Sequence, residues 1–366
     1  MKTLNKIKIK TKTKSYNVFI GNSILPSVIK WINKLNLHKN IFAVIDENVM
    51  NLHKEYITNS LVNHKSKIHF YLLRSNENSK SFEGLSEIIS ALLSNNFGRD
   101  TILLSIGGGV TGDLAGFAAS VYMRGIQLVH IPTTLLAAAD SAVGGKTGVN
   151  FNNYKNIAGT FFQPDFVLID TKFLSTLPEA ELNSGTGELI KYAFITNKDF
   201  FNNVNNNFEK IFSLDKKFID KIIYESVLFK GSVISKDEFE GGLRKILNFG
   251  HTFAHAYESL SNYQLKHGEA VTLGIISALF LSAKAGILSE KKLTHFLGLP
   301  LKMKLSSLNM EDYSSVLRFM YGDKKNKKGE INFILLNDIG KVITDVTVNE
   351  RDILYSIEKT KEIVQK

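Results

Sequence analysis

The first half of the chain alternates short apolar runs with segments of helical periodicity. Runs typical of strands lie at 41–46, 68–73, 101–106, 127–131 and 166–170, and helical spacing lies at 48–61, 82–93 and 114–122. Residues 7–20 have the pattern of a hairpin. Because strands that alternate with helices pair in parallel, this half predicts a mostly parallel sheet covered on both faces.

From about Lys172 onward the pattern is mainly helical, with one late pair of strand-like runs at 331–336 and 342–346. The asparagine-rich stretch 202–207 is interpreted as a helix connection or a loose turn. We therefore expect an α/β domain of nucleotide-binding type in residues 1–171. A mainly α-helical domain in residues 172–366 should follow it, with the functional site in the cleft between the two.

The composition limits which metal ligands and which cellular locations are possible. The chain has 366 residues, of which 44% are hydrophobic and 22% charged, and it has no cysteine, so any metal must be held by nitrogen and oxygen ligands. The longest apolar stretch, 270–283, is too short to cross a bilayer and is interpreted as a buried core helix. Nothing at the N-terminus resembles a signal peptide. A cytoplasmic protein that does not bind membranes is expected.

The formal net charge of +10 has two explanations. Lysines at positions 6, 8, 10, 12 and 14 follow a period of two, which is typical of the solvent face of an edge strand. No nucleic-acid motif accompanies the charge, so no nucleic-acid partner is expected. A small, highly anionic substrate is the other reason for a chain to keep positive charge.

The most specific chemical signal is a group of histidines between 248 and 271. His251 and His255 are four residues apart, so on a helix they point the same way, and His267 opens the next apolar helix. A single histidine is usually a core or surface residue, but three among Gly, Asn, Glu and Arg indicate a metal site. A catalytic zinc commonly has three protein ligands, and Glu188 is the natural carboxylate candidate.

A glycine-rich turn follows the strand at 101–106. Residues 107–113 precede a helix, whose free N–H groups and positive dipole end suit a pyrophosphate. The spacing differs from G-x-G-x-x-G, so the turn alone is weak evidence for a dinucleotide, and a plain strand-to-helix turn is the alternative. Asp46, at a strand end, suits either a ribose hydroxyl or a helix cap.

A second glycine segment, 144–148, resembles the end of a P-loop but lacks the first glycine at the required spacing. It also follows a helix-like run instead of a strand, so an NTPase is rejected. What remains is a flexible loop in which Lys146 and Lys155 are available for phosphate or carboxylate groups.

Taken together, these motifs resemble those of the 3-dehydroquinate synthase family, which belongs to the shikimate pathway. The resemblance covers nearly the whole chain. It is carried by residues 107–117, 123–125, 132–137, 140–147, 155–156, 176–178, 188–192, 237–238, 244, 248–255, 267–271 and 323–325. Departures are small: Ala254 replaces a usual Gly, Asn76 stands where Gly often does, and residues 184–187 differ from the usual Ala.

The resemblance implies a Rossmann-like first domain and a lyase that forms a carbocycle. Its substrate would be a small anionic sugar acid, 3-deoxy-D-arabino-heptulosonate 7-phosphate, and its products 3-dehydroquinate and phosphate. The route would be transient oxidation by NAD⁺, elimination of phosphate, re-reduction and intramolecular aldol closure. The implied cofactors are recycled NAD and a divalent metal, zinc or else cobalt.

The resemblance also implies a role for each motif residue. The metal ligands would be Glu188, His251 and His267. The NAD site would comprise Asp46, Glu77, Lys80, Gly109, Val110, Thr111, Gly112, Asp113, Thr133, Thr134, Lys146, Lys155, Phe173, Leu174, Ser175 and Thr176. The substrate site would comprise Arg124, Asp140, Lys146, Asn156, Lys191, Lys230, Arg244, Asn248, His255 and one of Lys324 and Lys325. Arg124 would reach into the site of a neighbouring subunit, which implies a homodimer.

Three alternatives remain at this point. A metal-dependent polyol dehydrogenase would share the glycine turn but would not need the basic residues. A cyclase that makes inosose or valiolone would usually differ at Lys230, Asn248 or His255. A nucleic-acid-binding protein is suggested only by the isoelectric point of about 9.3.

Overall fold

The computed structural model describes residues 4–34, 40–62, 67–152, 154–261, 264–305, 313–321 and 331–365. The strands are β1 (Asn5–Lys10), β2 (Ser15–Gly21), β3 (Asn40–Asp46), β4 (Ile68–Leu73), β5 (Thr101–Gly107), β6 (Gln127–Pro132), β7 (Lys146–Phe151), β8 (Tyr154–Phe161), β9 (Phe166–Asp170), β10 (Phe333–Asp338) and β11 (Lys341–Val346).

The α-helices are α1 (Val28–Lys34), α2 (Glu47–Leu61), α3 (Phe82–Ser94), α4 (Gly109–Val121), α5 (Glu179–Ile195), α6 (Lys198–Asn206), α7 (Glu209–Phe212), α8 (Lys216–Lys236), α9 (His251–Leu260), α10 (His267–Lys284), α11 (Glu290–Leu297), α12 (Tyr313–Tyr321) and α13 (Glu350–Val364). In the part of the chain that is described, no helix has the length and apolar character needed to cross a membrane.

The chain divides into two compact units. The first contains Met1–Leu177 and Leu214–Phe239, and the second contains Pro178–Ser213 and Glu240–Lys366. This division differs from the single boundary expected at residue 171, because helix α8 packs against β1 and β2 of the first unit. Helical periodicity shows that a helix has a buried face but does not say which unit buries it.

The first unit contains a seven-stranded sheet in the order β1-β2-β9-β6-β5-β3-β4. All neighbouring pairs are parallel except the β1–β2 hairpin at the edge, as the hydrophobic pattern predicted. In β1, Ile7 and Ile9 are buried and the lysines at 6, 8 and 10 are exposed. The edge-strand interpretation is therefore confirmed for these three lysines, whereas Lys12 and Lys14 lie in the turn after β1, where half-buried Lys14 forms an ion pair of 3.0 Å with Asp165.

Both faces of the parallel sheet are covered, and β3 shows how. Ile41, Ala43 and Ile45 join a core cluster with α1 and α2, whereas Phe42 and Val44 join a second cluster with α3 and α4. Successive side chains of a strand point to opposite faces, so a strand buried on both sides must be apolar throughout. The predicted α/β architecture is confirmed.

Two segments differ from their predicted conformations. The asparagine-rich stretch belongs to helix α6, where Phe200, Phe201 and Val204 form the buried face. The segment expected to be a flexible loop around Lys146 is a two-stranded ribbon of β7 and β8, which packs on α4. A Cβ at Gly116 of α4 would lie 2.6 Å from Thr147, so glycine permits this close packing.

The second unit is organised around helix α10. Its residues from Gly268 to Ser282 are buried except Glu269, and it packs against α5, α9, α13 and β10. The long apolar run is therefore a core helix, as predicted. The two-stranded sheet of β10 and β11 corresponds to the late strand pair.

Candidate functional site

Three potential metal ligands meet in the second unit. Glu188 lies in α5, His251 is the first residue of α9 and His267 is the first residue of α10. Oε1 of Glu188 is 3.5 Å from Nε2 of His251 and 3.2 Å from Nε2 of His267. One ligand atom from each residue lies within 4.8 Å of the others. Two nitrogens and one oxygen in this arrangement suit zinc, and the same donors accept cobalt.

Glycines allow the three helices to approach this closely. A Cβ at Gly187 would overlap the carbonyl group of Gly268, and a Cβ at Gly268 would overlap that of Ser184. In the same way, a Cβ at Gly274 of α10 would overlap the carbonyl of Gly250, which precedes α9. Backbone therefore touches backbone directly beside each predicted ligand.

Substituting Gly268 by alanine should disturb both packing and metal binding. The added methyl group must push α10 away from α5, and overpacking of this kind costs about 1–3 kcal/mol of stability. We expect a lower melting temperature and weaker zinc binding in Gly268→Ala. Gly242→Ala is the control, since a Cβ there meets nothing within 4 Å. Equal melting temperatures and zinc affinities in the two variants would contradict this role for the glycines.

The protonation states suit a cation. Burial lowers the pKa of His251 to about 4, so its imidazole is neutral at pH 7. Its Nδ1 lies 3.3 Å from the Phe249 carbonyl oxygen, to which Nδ1–H donates, and Nε2 then has a free lone pair. Burial would also lower the pKa of His267, but hydrogen bonds with Glu188 and Glu258 raise it to about 10. The negative charge around His267 is of the kind that a bound cation neutralises.

Glu188 is kept ionised by its neighbours. Burial would raise the pKa of Glu188, but the Lys191 ammonium and the two neighbouring histidines hold that pKa well below its usual range. Lys191 lies one turn further along α5 and forms an ion pair with Oε2 of Glu188. Both side chains are buried, so the pair is protected from solvent.

Other predicted substrate residues of the second unit lie near the start of α9. The imidazole rings of His251 and His255 have centroids 5.6 Å apart, which confirms that the two side chains share one side of the helix. Arg244 is buried in the short helix Leu243–Asn248. Asn248 donates a hydrogen bond of 2.7 Å to Oε1 of Glu240.

Glu240 was not among the predicted site residues. Its backbone φ is +63°, in the left-handed region that a non-glycine residue rarely adopts. The sequence offered one signal, an acidic residue placed directly before Gly241 and Gly242. Such strain often accompanies functional sites.

The predicted NAD residues of the first unit lie at the carboxyl edge of the parallel sheet. Most of them lie at or just after the carboxyl end of a strand. They are Asp46 at β3, Glu77 and Lys80 after β4, residues 109–113 after β5, Thr133 and Thr134 after β6, and residues 173–176 after β9. β3 has β4 on one side and β5 on the other, so the direction in which successive strands are added to the sheet reverses at β3. Open α/β sheets bind ligands at such a point.

The glycine-rich turn after β5 contains the N-terminus of a helix. Helix α4 begins at Gly109, so residues 109–113 form its first turn and not a separate loop. A Cβ at Gly108 would lie 3.0 Å from Thr134, which brings the turns after β5 and β6 together. Asp46 caps helix α2, its Oδ1 accepting hydrogen bonds of 2.8 and 3.3 Å from the N–H groups of Asn48 and Val49. The cap interpretation of Asp46 is confirmed, and its contact with a ribose stays a prediction.

A buried lysine connects several of these residues. Nζ of Lys80 lies 2.5 Å from Oδ2 of Asp113 and also contacts Oδ1 of Asn156. Burial raises the pKa of Asp113, an effect that the Lys80 ammonium opposes. Asn150 donates a hydrogen bond of 2.8 Å to Oε1 of Glu77 and accepts one of 2.9 Å from the Asn156 N–H.

A second buried lysine, Lys230 of α8, joins the predicted substrate residue Asp140. Nζ of Lys230 lies 2.9 Å from Oδ1 of Asp140 and 2.8 Å from its carbonyl oxygen. Lys146, at the start of β7, is exposed, and Lys155 in β8 is half-buried.

One predicted substrate residue, Arg124, is separate from these groups. Arg124 is exposed and follows α4 at the end opposite Gly109, about 20 Å from the glycine turn by the rise of the helix. Lys324 and Lys325 lie outside the described residues.

Comparison with known proteins gives a consistent result. Residues 70–184 match a family model described as 3-dehydroquinate synthase N-terminal, and residues 185–326 match 3-dehydroquinate synthase C-terminal. A 3-dehydroquinate synthase of Pelagibacter ubique is 41% identical over 365 residues, which cover 97% of this chain and 98% of that protein.

Two solved structures are also similar. A 2-deoxy-scyllo-inosose synthase, complexed with carbaglucose-6-phosphate, NAD⁺ and Co²⁺, is 26% identical with a TM-score of 0.87 and covers 97% of this chain and 99% of its own. A 2-epi-5-epi-valiolone synthase from Streptomyces hygroscopicus subsp. jinggangensis, with NAD⁺ and Zn²⁺ bound, is 27% identical with the same TM-score and coverage.

Proposed function

Because the chain belongs to the 3-dehydroquinate synthase family, we infer that it converts 3-deoxy-D-arabino-heptulosonate 7-phosphate to 3-dehydroquinate and phosphate. The conversion is a transient oxidation, loss of phosphate, re-reduction and aldol closure, so the enzyme is a lyase in outcome. The match over both halves of the chain favours this activity over a polyol dehydrogenase and over the cyclases that form inosose or valiolone.

We propose that Glu188, His251 and His267 hold one divalent metal, with zinc as the first candidate and cobalt as the second. The observation that carries this proposal is the convergence of both Nε2 atoms on Oε1 of Glu188, at 3.5 and 3.2 Å. When bound, the metal would polarise the oxygen of the alcohol that is oxidised, and NAD⁺ would take up and return the hydride. Lys191, paired with Glu188, keeps the carboxylate ionised and brings a positive charge beside the ligands.

We propose that the carboxyl edge of the sheet binds NAD⁺. The free N–H groups at the start of α4 suit the pyrophosphate, and Gly108, the residue before the helix, has no side chain to obstruct its approach. Lys80 fixes the carboxylate of Asp113. The two similar cyclase structures contain NAD⁺, which supports this assignment.

We propose that the remaining residues bind the sugar acid. Two anionic groups, a carboxylate and a phosphate, require several cations, and charge-assisted hydrogen bonds are the strong ones. Lys146, Lys191, Lys230 and Arg244 would supply these charges. Asp140, Asn156, Asn248 and His255 would orient hydroxyl groups or move protons.

A homodimer is proposed on the position of Arg124. This arginine lies about 20 Å along α4 from the glycine turn, so within its own chain it is remote from the edge that is proposed to bind NAD⁺. Arg124 is exposed at the surface, and its backbone φ of +67° is a strained conformation for a non-glycine residue. A role in the site of a second copy explains both features. The cytoplasmic location stays a prediction.

Phosphate should be released without a net change in the nicotinamide. With the heptulosonate phosphate, NAD⁺ and zinc, we expect phosphate and 3-dehydroquinate to form in equal amounts while the absorbance of reduced nicotinamide stays flat. Omission of NAD⁺ is the control and should abolish turnover. Production of NADH in step with substrate loss would instead indicate a polyol dehydrogenase.

A further inference from the structure

We propose that Glu258 is a positioning residue for the metal site and acts through His267. The inference rests on the proposed function, because it concerns the orientation of one proposed metal ligand. Glu258 lies in α9, two turns after His251, and its side chain is 4% exposed. Its Oε1 is 3.3 Å from Nδ1 of His267, on the side of the ring away from Glu188.

The two contacts of the His267 ring define its tautomer. A carboxylate can only accept a hydrogen bond, so Nδ1 must carry the hydrogen that it donates to Glu258. Nε2, which lies 3.2 Å from Oε1 of Glu188, is then the nitrogen through which the ring would bind a cation, and the cation would take the place of the hydrogen that Nε2 shares with Glu188 in the metal-free protein. Without an acceptor at Nδ1, the neutral ring could place its hydrogen on either nitrogen, and only one of the two forms binds a metal through Nε2.

His251 shows the same arrangement with a different partner. Its Nδ1 faces the carbonyl oxygen of Phe249, which is neutral, whereas Nδ1 of His267 faces a carboxylate. A carboxylate pulls the shared hydrogen more strongly and so makes the imidazole a better electron donor to a metal. The negative charge of Glu258 is therefore assigned to metal affinity as well as to orientation.

The burial of Glu258 agrees with this role. A carboxylate removed from water costs free energy unless nearby positive charge and hydrogen bonds offset the loss. The electropositive ring of a metal-bound histidine supplies such an offset. A residue whose only role was to pack α9 against α10 would not need a charge.

The test is the affinity for zinc, measured with a chromophoric chelator. Glu258→Gln keeps the size of the side chain but removes the charge, and we expect the dissociation constant for zinc to rise roughly 10–100-fold. Glu258→Leu, which also removes the acceptor, should lose at least as much. Glu181→Gln is the matched control, because Glu181 pairs at 2.9 Å with Lys266, the residue before His267, but does so at the surface. It should stay within about twofold of wild type, well below the change expected at a partner of a metal ligand.

The outcomes separate this inference from the proposed function. If wild type binds zinc and His251→Ala loses it, but Glu258→Gln binds as wild type does, Glu258 has no positioning role. If wild type binds no zinc, or His251→Ala keeps it, the metal proposal itself fails.

A second measurement avoids substitution, in case the variants fold poorly. Nitrogen-15 NMR of the zinc-loaded wild-type protein should show hydrogen on Nδ1 of His267 and metal on Nε2. Metal on Nδ1 would overturn the assignment to Glu258.

Discussion

His251→Ala should lose its bound metal and at least about a thousandfold in kcat/KM, since a metal contributes several kcal/mol to the stabilisation of developing charge. His251 is neutral and buried, and its Nε2 lies 3.5 Å from Oε1 of Glu188, so it is well placed to be a ligand. Two remaining protein ligands would hold zinc weakly. Metal content per chain, measured by emission spectroscopy after gel filtration, checks the first effect.

The control for His251→Ala is His295→Ala. His295 lies exposed on α11 of the same unit, so its loss should change neither metal content nor turnover. Melting temperatures of both variants would show whether the fold is retained. One metal per chain in a folded His251→Ala variant would mean that the ligands have been misassigned.

Arg244→Ala should lose at least about tenfold in kcat/KM for the sugar-acid phosphate. A charge-assisted hydrogen bond to a desolvated anion contributes about 1.5–3 kcal/mol, which corresponds to a factor of roughly 10–100. Arg244 is 2% exposed and lies four residues before Asn248, in the segment that leads into α9. The affinity for NAD⁺, measured by calorimetry, should barely change.

Two further variants sharpen the Arg244 prediction. Arg244→Lys should recover only part of the loss, because an ammonium group cannot make the two parallel hydrogen bonds of a guanidinium. Arg351→Ala, at an exposed position of α13, removes an arginine without an expected effect on activity. Wild-type turnover in Arg244→Ala, or a loss confined to NAD⁺ affinity, would place the phosphate on other residues.

Elements with a strong hydrophobic period could be predicted from the sequence. Strands β4 and β9 have their predicted bounds, and β3, β5 and β6 each differ from theirs by one residue, because each is a short apolar run ended by a turn or an acid. The alternating lysines of β1 predicted both that this segment is a strand and that it lies at the edge of the sheet. Burial of α10 followed from a mainly apolar run of fourteen residues, 270–283, between two charged ones.

Other features depend on contacts that a single sequence does not display. In α6 the asparagines are exposed or half-buried, and their abundance suggested a turn, whereas three buried apolar positions give the segment the pattern of a helix. The β7–β8 ribbon depends on its packing against Gly116 of α4. Helix α8 joins the first unit although its sequence neighbours on both sides belong to the second.

The candidate site was predictable where the residue type limits the chemistry. Histidines at helix starts and a glutamate in a distinctive motif indicated the three ligands, which the structure brings together. Glu258 was missed because it lies seven residues after His251 in an ordinary helical pattern, and only the fold brings it to Nδ1 of His267. Gly187 and Gly268 were likewise informative only once α5 and α10 were seen in contact.

The central claim is that hydride leaves one carbon of the substrate and returns to that same carbon within one turnover. Substrate carrying deuterium at the carbon that is oxidised should be incubated with the zinc-loaded enzyme and a large excess of unlabelled NAD⁺. Mass spectrometry and deuterium NMR of the 3-dehydroquinate should then show the label fully retained at its original carbon. Label lost to solvent, or found in the NAD⁺ pool, would contradict a transient oxidation in which the cofactor stays bound and is recycled.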